Sequence, residues 1–231
     1  MEILPLLEDF GQLVLKHTHS SIGDGFHLVE YSGGEFYLDK QKTKKENLLH
    51  FVEGLNEYLI QEYIHQADYS ERIYPASVNT IRFQCVWDEE SKSFFVARSF
   101  HRFGSNGQIV DNVGAGNGLL VYIDTETGVL KNEGVERREG KKKYFCNQGP
   151  VCHPDSGVRL DGFKIPNYLK IKEEVIKISN RISFLRWIGW DVVVTEDGFR
   201  IIEANSLTTL DTIQQRSGFL ADDRIRKVLK R

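Results

Sequence analysis

Apolar and polar positions change period along this chain, and the changes mark its elements. "EILPLLEDFG" has apolar residues at helical spacing and stops at Gly11. "QLVLKHT" and "FHLVEY" then alternate as strands on either side of the loop "HSSIGDG", and "GGEFYLDKQKT" predicts a further hairpin arm turning at Gly33-Gly34. "KKENLLHFVEGL" returns to helical spacing, with Gly54 or Asn56 as its stop, and "EYLIQEYIH" reads as a buried strand. Residues 65–76 are polar and irregular, and the lobe boundary is expected there, with a small lobe over 1–72 and a large one over 73–231. From Ser77 the pattern turns to strands: "VNTIRFQCVWD", "SFFVARSFHRFG" and "GLLVYIDTETGVL". A long loop, "HPDSGVRLDGFKIP", leads into the amphipathic helix "NYLKIKEEVIKISNRISFL". "GWDVVVTEDGFRIIEAN" predicts a hairpin through Asp197-Gly198, and "ADDRIRKVLKR" a short terminal helix. The expected class is α+β, with two antiparallel sheets and few helices.

The last hairpin carries polar groups where a strand favours apolar ones. Alternate strand residues share a face, so Glu203 and Asn205 point the same way as Ile201, with Asp191 on the partner strand. Two carboxylates brought close repel, and a hard divalent cation resolves the repulsion through oxygen ligands, water and substrate phosphates. The competing reading is that Glu203 pairs with an arginine such as Arg82 or Arg200 and Asn205 caps the following turn. Two further segments bear on the choice. Lys16 ends a strand before a Ser/Gly loop, where small residues let backbone N–H groups approach an oxyanion and the lysine adds a point charge; a plain surface hairpin is the alternative. "YLIQEYIH" could present backbone groups of Gln61, Glu62, Tyr63 and Ile64 to a base edge, or be an ordinary core strand.

Composition narrows the classes. The 231 residues are 40% hydrophobic and 27% charged with net charge −3, an ordinary globular balance with no pull toward nucleic acid or anionic membrane. Three cysteines, Cys85, Cys146 and Cys152, are too few and too irregularly spaced for a disulfide framework or a metal knuckle, which points to a reducing, cytoplasmic setting. The N-terminus is acidic and interrupted by Pro5, unlike a signal peptide, and no apolar stretch reaches the length of a membrane span.

The order of the pieces is lysine strand, glycine loop, "QEYI", "NTIR", then Asp and Glu-x-Asn on a strand pair. It resembles the ATP-grasp superfamily over nearly the whole chain. "SVNTIR", "VDNVGAGNG", "HPDSG" and "GWDVVVTEDGFRIIEANS" look like the sugar-transfer-associated ATP-grasp subgroup. That resemblance implies the ATP-grasp fold, two lobes each with an antiparallel sheet and helices, and ATP held between them. It implies that Lys16 contacts phosphates and that Ser21, Gly23 and Gly25 lie in a phosphate-covering loop. Gln61, Glu62, Tyr63 and Ile64 would line the adenine side, with Glu62 and Ile64 holding its edge, and Asp68 the ribose. Arg82 would neutralise the transferring phosphoryl group, Asp191, Glu203 and Asn205 would bind Mg²⁺ (or Mn²⁺), and Arg102 and Asn112, with the backbone of 114–116, would sit where acyl phosphate and acceptor meet.

The implied activity is an ATP- and Mg²⁺-dependent ligase acting on small carboxylate and amine (or thiol) substrates, in cell-surface polysaccharide or peptide assembly. A kinase acting on a hydroxyl, or a nucleotide-binding module completed by a partner, are the alternatives. The pattern departs from the resemblance in two places. Members usually carry a whole domain before the lysine strand, whereas fifteen residues precede Lys16 here, so a homo-oligomer or partner is expected to supply that lobe. The turn after Glu-x-Asn is "SLTTLD", without proline. Elsewhere, His101 is an acid/base candidate beside Arg102, His153 opens a loop shaped by Pro154 and Gly157, and "KKK" at 141–143 reads as a solvated hairpin tip or a weak anionic-polymer contact.

Overall fold

The computed structural model describes residues 3–20, 24–113, 117–182, 184–206 and 218–229. The chain divides into two compact units, Met1–His65 and Gln66–Arg231.

In the first unit, helix α1 (Ile3–Phe10) ends at Gly11, whose φ of 71° and N–H bond to the Leu7 carbonyl close the helix. Strands β1 (Gln12–His17), β2 (Phe26–Ser32), β3 (Glu35–Leu38) and β4 (Gln41–Thr43) precede helix α2 (Lys45–Glu53), and β5 (Tyr58–Glu62) follows. They make one antiparallel sheet ordered β4-β3-β2-β1-β5. Leu13, Leu15 and Val29 pack on Ile3 and Leu7 of α1 and Leu48 of α2, so the helices cover one face. Segment 57–65, expected as a buried strand running into a loop, holds the edge strand β5, whose Leu59, Gln61 and Glu62 are exposed. Tyr58 and Ile60 still pack on the helix-covered core, while Leu59 and Gln61 alternate to the opposite face.

The second unit opens with helix α3 (Asp68–Ile73) inside the segment expected to be irregular. The division into units falls after His65, ahead of α3, rather than after residue 72, because the Ala67 N–H bonds the Val194 carbonyl and Gln66 ties into this unit's polar network. Strands β6 (Ile81–Asp88), β7 (Ser93–Gly104), β8 (Gly118–Ile123), β9 (Leu130–Arg138), β10 (Lys141–Cys146), β11 (Trp187–Thr195) and β12 (Gly198–Asn205) form one antiparallel sheet ordered β10-β9-β8-β7-β6-β11-β12. Helix α4 (Tyr168–Arg181) covers one face, burying Tyr168, Ile171 and Val175 against Phe83, Val121, Ile188 and Trp190. On the other face, Phe219 of the 3-10 turn Phe219–Ala221, Ile225 of α5 (Asp223–Leu229) and Val113 meet Val86, Phe100, Leu120 and Val135. Burial on two faces explains the near-continuous apolar run of β11, and a single polar residue, Asp191, interrupts it.

Candidate functional site

The site in the second unit is built by strand register. Arg82 of β6 lies across from Asp191 of β11, which lies across from Glu203 of β12. Residues directly opposite one another in an antiparallel pair share a face, so these three form one row. Asn205, across from Gly189, begins the next row, and its Nδ2 reaches the Gly189 carbonyl at 3.5 Å. Asp191, Glu203 and Asn205 therefore lie on one face of the hairpin, by a route other than strict alternation. Ile201 lies across from Val192 and packs in the α4-side core, while Glu203 lies across from Asp191. Two steps on β12 against one on β11 make a bulge at Ile202, which turns Glu203 away from the face that Ile201 occupies. Strict alternation would have put both on one side.

Asp191 is buried and holds two arginines. Arg82 donates from Nε to Oδ1 and from Nη2 to Oδ2 (2.8 Å), and Arg102 Nη2 stands 3.2 Å from Oδ2. Burial alone would raise the Asp191 carboxyl; Arg102 and Arg82 outweigh it and hold the group below the usual carboxylate range. Arg102 reaches a second buried carboxylate, Asp111, at 3.4 Å. Asp111 accepts from the Thr80 N–H at 2.8 Å and from its hydroxyl, and the same hydroxyl accepts from Arg102. Burial, with Asp191 adding to it, pushes the Asp111 carboxyl up despite Arg102 and Thr80. On Arg102, burial works to lower the pKa, but Asp111, Asp191 and Glu203 raise it on balance. The result is two guanidinium groups framed by Asp191 and Asp111, with Glu203 exposed beside them.

The sequence reading gave no role to Asp111 and Thr80, although each lies inside a motif it singled out, "VDNVGAGNG" and "SVNTIR". "SVNTIR" now has a physical account. Asn79 Nδ2 donates to the Tyr74 carbonyl (2.7 Å), Gln66 Oε1 accepts from the Asn79 N–H (2.9 Å), and Asn79 Oδ1 accepts from the Gly104 N–H (3.2 Å). This buried network fixes the entry to β6, and Thr80 and Arg82 follow from it into the site. His153 anchors the "HPDSG" loop by the Gly104 carbonyl (2.8 Å), with Nδ1 accepting from the Asp155 and Ser156 amides. His101 is not placed for acid/base work. It lies on the α4-side face, stacked on Phe103, with Nε2 2.9 Å from the Tyr69 hydroxyl, and burial drives its pKa down to about 3.

Asn112 is half-buried and follows Asp111. Asp68 begins α3, its amide bonded to Glu196 at the β11–β12 turn, away from the Glu203 end of that hairpin. In the first unit, Lys16 lies across from Phe26 and Leu59. By that register it shares its face with Val14, Leu28 and Gln61, whereas Glu62 pairs with Leu13 on the helix-covered side. Tyr63 packs edge-on against His65, and Ile64 is half-buried. Gly25 has φ 65°, and a Cβ there would meet His17 Cβ at 2.8 Å, so the turn after the loop requires glycine. Ser21, Gly23 and 114–116 lie outside the described residues.

Glu203 and Asn205 supply open oxygen donors, which suits Mg²⁺, an ion that takes one or two carboxylates and otherwise keeps water or phosphate. Asp191 as placed does not offer a free oxygen, since arginines hold both. Among the described residues, no three His, Cys, Asp or Glu side chains are grouped as a metal cage.

A family model, sugar-transfer associated ATP-grasp, matches residues 2–229. The chain belongs to that ATP-grasp family. No curated protein sequence matches this ATP-grasp chain. Among solved structures, a D-alanine–D-alanine ligase from Bacillus anthracis is 15% identical with TM-score 0.45, covering 100% of this chain and 56% of that one. The ATP-grasp ligase PsnB with a precursor peptide and AMPPNP is 10% identical with TM-score 0.44, covering 99% and 48%. The biotin carboxylase domain of Hydrogenobacter thermophilus 2-oxoglutarate carboxylase, with MgADP and bicarbonate, is 11% identical with TM-score 0.45, covering 90% and 33%. The chain spans about half the length of the first of these structures, and no helix among its described residues is long and apolar enough to cross a membrane.

Proposed function

We propose that this chain is an ATP- and Mg²⁺-dependent ligase that activates a carboxylate as an acyl phosphate and joins it to an amine or thiol. The observation that carries the reading is the paired guanidinium groups of Arg82 and Arg102 held on a buried carboxylate, in the row that ends at Glu203. Phosphoryl transfer asks a protein chiefly for positioning and charge neutralisation, and this cluster offers both without a nucleophile of its own. Glu203 and Asn205 would hold the cation, which would supply charge neutralisation to phosphate oxygens. Asp191 would be available to it only where phosphate, in place of the carboxylate, engages Arg82 and Arg102. Lys16 and the 19–25 loop serve the nucleotide phosphates, Gln61 to Ile64 the adenine side, Asp68 the ribose, and Arg102 with Asn112 the acyl group. Polysaccharide or peptide assembly, in the cytoplasm and with a partner or second copy completing the acceptor pocket, is the setting this reading favours. Calorimetry of ATP with and without Mg²⁺ tests it. Wild type should bind with a metal-dependent affinity, and Glu203→Gln should lose the metal effect. Absence of nucleotide binding in wild type would count against the reading, and release of free phosphate alongside an amide product would separate ligase from kinase.

A further inference from the structure

Arg137 of β9 is a charged residue that the site reading leaves unused. The segment Asp111–Val113 links it to the cluster. Arg102 contacts this segment at the Asp111 carboxylate (3.4 Å), and Arg137 Nη1 contacts it at the Val113 carbonyl (3.5 Å), with Asn112 between them. Register agrees. Arg102, Leu120, Val135 and Tyr144 form one row across β7 to β10, and Gly118, Arg137 and Lys142 belong to the adjacent row. Val135 and Leu120 pack on the same side of the sheet as Phe100, so Arg137 shares the face that carries Arg82, Asp191 and Arg102.

One feature of Arg137 lacks an explanation within the fold. Its Nε is buried, and no described group accepts from it. Buried donors without a partner are rare in native proteins, and each calls for a reason. Its cross-strand neighbour is Lys142. An oxyanion would give the donor its acceptor, because the guanidinium fork matches a carboxylate or phosphate and the lysine adds a second positive charge.

We propose that Arg137 and Lys142 form an oxyanion subsite next to Arg102 and Asn112, taking a carboxylate or phosphate group that the substrate carries in addition to the group that reacts. The idea that this anion belongs to a ligase substrate rests on the function proposed above; the binding of an anion does not.

The test uses the full chain at low ionic strength, with arginine Nε–H resonances followed by NMR as inorganic phosphate or succinate is added. The Arg137 signal is assigned by its absence in Arg137→Gln. One or both anions should shift that signal at millimolar concentration, and saturating Mg·AMPPNP should not abolish the shift. A response to succinate alone identifies a carboxylate source, and a response to phosphate a phosphate source. Arg137→Gln should weaken anion affinity at this subsite at least tenfold, and Lys142→Gln, an exposed change that spares the fold, about threefold. An unmoved Arg137 signal at 50-fold molar excess of both anions (on the order of 10 mM) overturns the proposal, as does a shift that Mg·AMPPNP removes completely, which would place the anion at Arg82 and Arg102. Failure of Mg·AMPPNP to bind, with the anion response intact, would instead count against the ligase reading.

Discussion

Asp191→Asn and Glu203→Gln each remove one carboxylate from the same cross-strand row, and they should fail in different ways. Asp191 is buried, and the arginines it holds have side chains only 13% and 16% exposed, so solvent screens these pairs weakly. Removing one partner of a buried pair leaves the other charge uncompensated, which costs about 3–5 kcal/mol. The lower end applies here, because asparagine keeps one acceptor oxygen and Arg102 keeps Asp111 at 3.4 Å. For a domain of this size, ~3 kcal/mol corresponds to a fall in melting temperature of ~6–12 °C. Glu203 is exposed, and its neutralisation should move stability by less than ~0.5 kcal/mol. Its effect should fall on Mg²⁺-dependent nucleotide binding instead. Thermal unfolding by circular dichroism, beside calorimetry of ATP with and without Mg²⁺, reads both variants on both axes. A melting temperature for Asp191→Asn within 2 °C of wild type (about 0.5–1 kcal/mol) would refute the argument that this carboxylate holds the arginines in place.

Other outcomes follow from the same structure. The folded His101 pKa, at about 3, lies below its ordinary 6.5, so the unfolded chain gains a proton first as pH falls. Stability should drop between pH 6.5 and 3, by about 2 kcal/mol at pH 5; urea unfolding at pH 7.5 and 5 should show a shallower dependence in His101→Gln, and an unchanged slope would contradict the assignment. A Cβ at Gly134 would lie 2.0 Å from the Leu120 carbonyl oxygen, a backbone atom that cannot step aside. Gly134→Ala should therefore cost at least ~2 kcal/mol, and a wild-type melting temperature would show that the β8–β9 pair yields instead. Burial pushes the Cys85 thiol up to about 12 against the Ser179 hydrogen bond, whereas Cys152 is exposed. Peptide-resolved alkylation should label Cys152 in the native protein and Cys85 only after unfolding, and rapid native labelling of Cys85 would mean that this part of the sheet opens readily.

Much of the architecture was legible because it is written in local chemistry. Gly11 ends α1, Gly33-Gly34 turns the β2–β3 hairpin, the β11–β12 turn falls at Glu196-Asp197, one residue before the expected Asp197-Gly198, and the apolar periods of β6, β7, β11 and α4 announce their elements. The polar interruption of β11 and β12 by Asp191, Glu203 and Asn205 was visible for the same reason, since a carboxylate in an apolar run is costly unless something engages it. Tertiary structure decided the rest. Strand register chose Arg82 and Arg102 as the partners of Asp191, while Arg200 went to Asp197. Only the packed sheet shows the bulge at Ile202, the edge position of β5 and the core side taken by His101. Arg102 and Arg137 come to one three-residue segment, Asp111–Val113, through strand pairings and a loop that no local period encodes. Sequence fixes what each residue can do, because side-chain chemistry and backbone preference are local. Which residues meet depends on register and layer, and those are settled by burying the whole sheet at once.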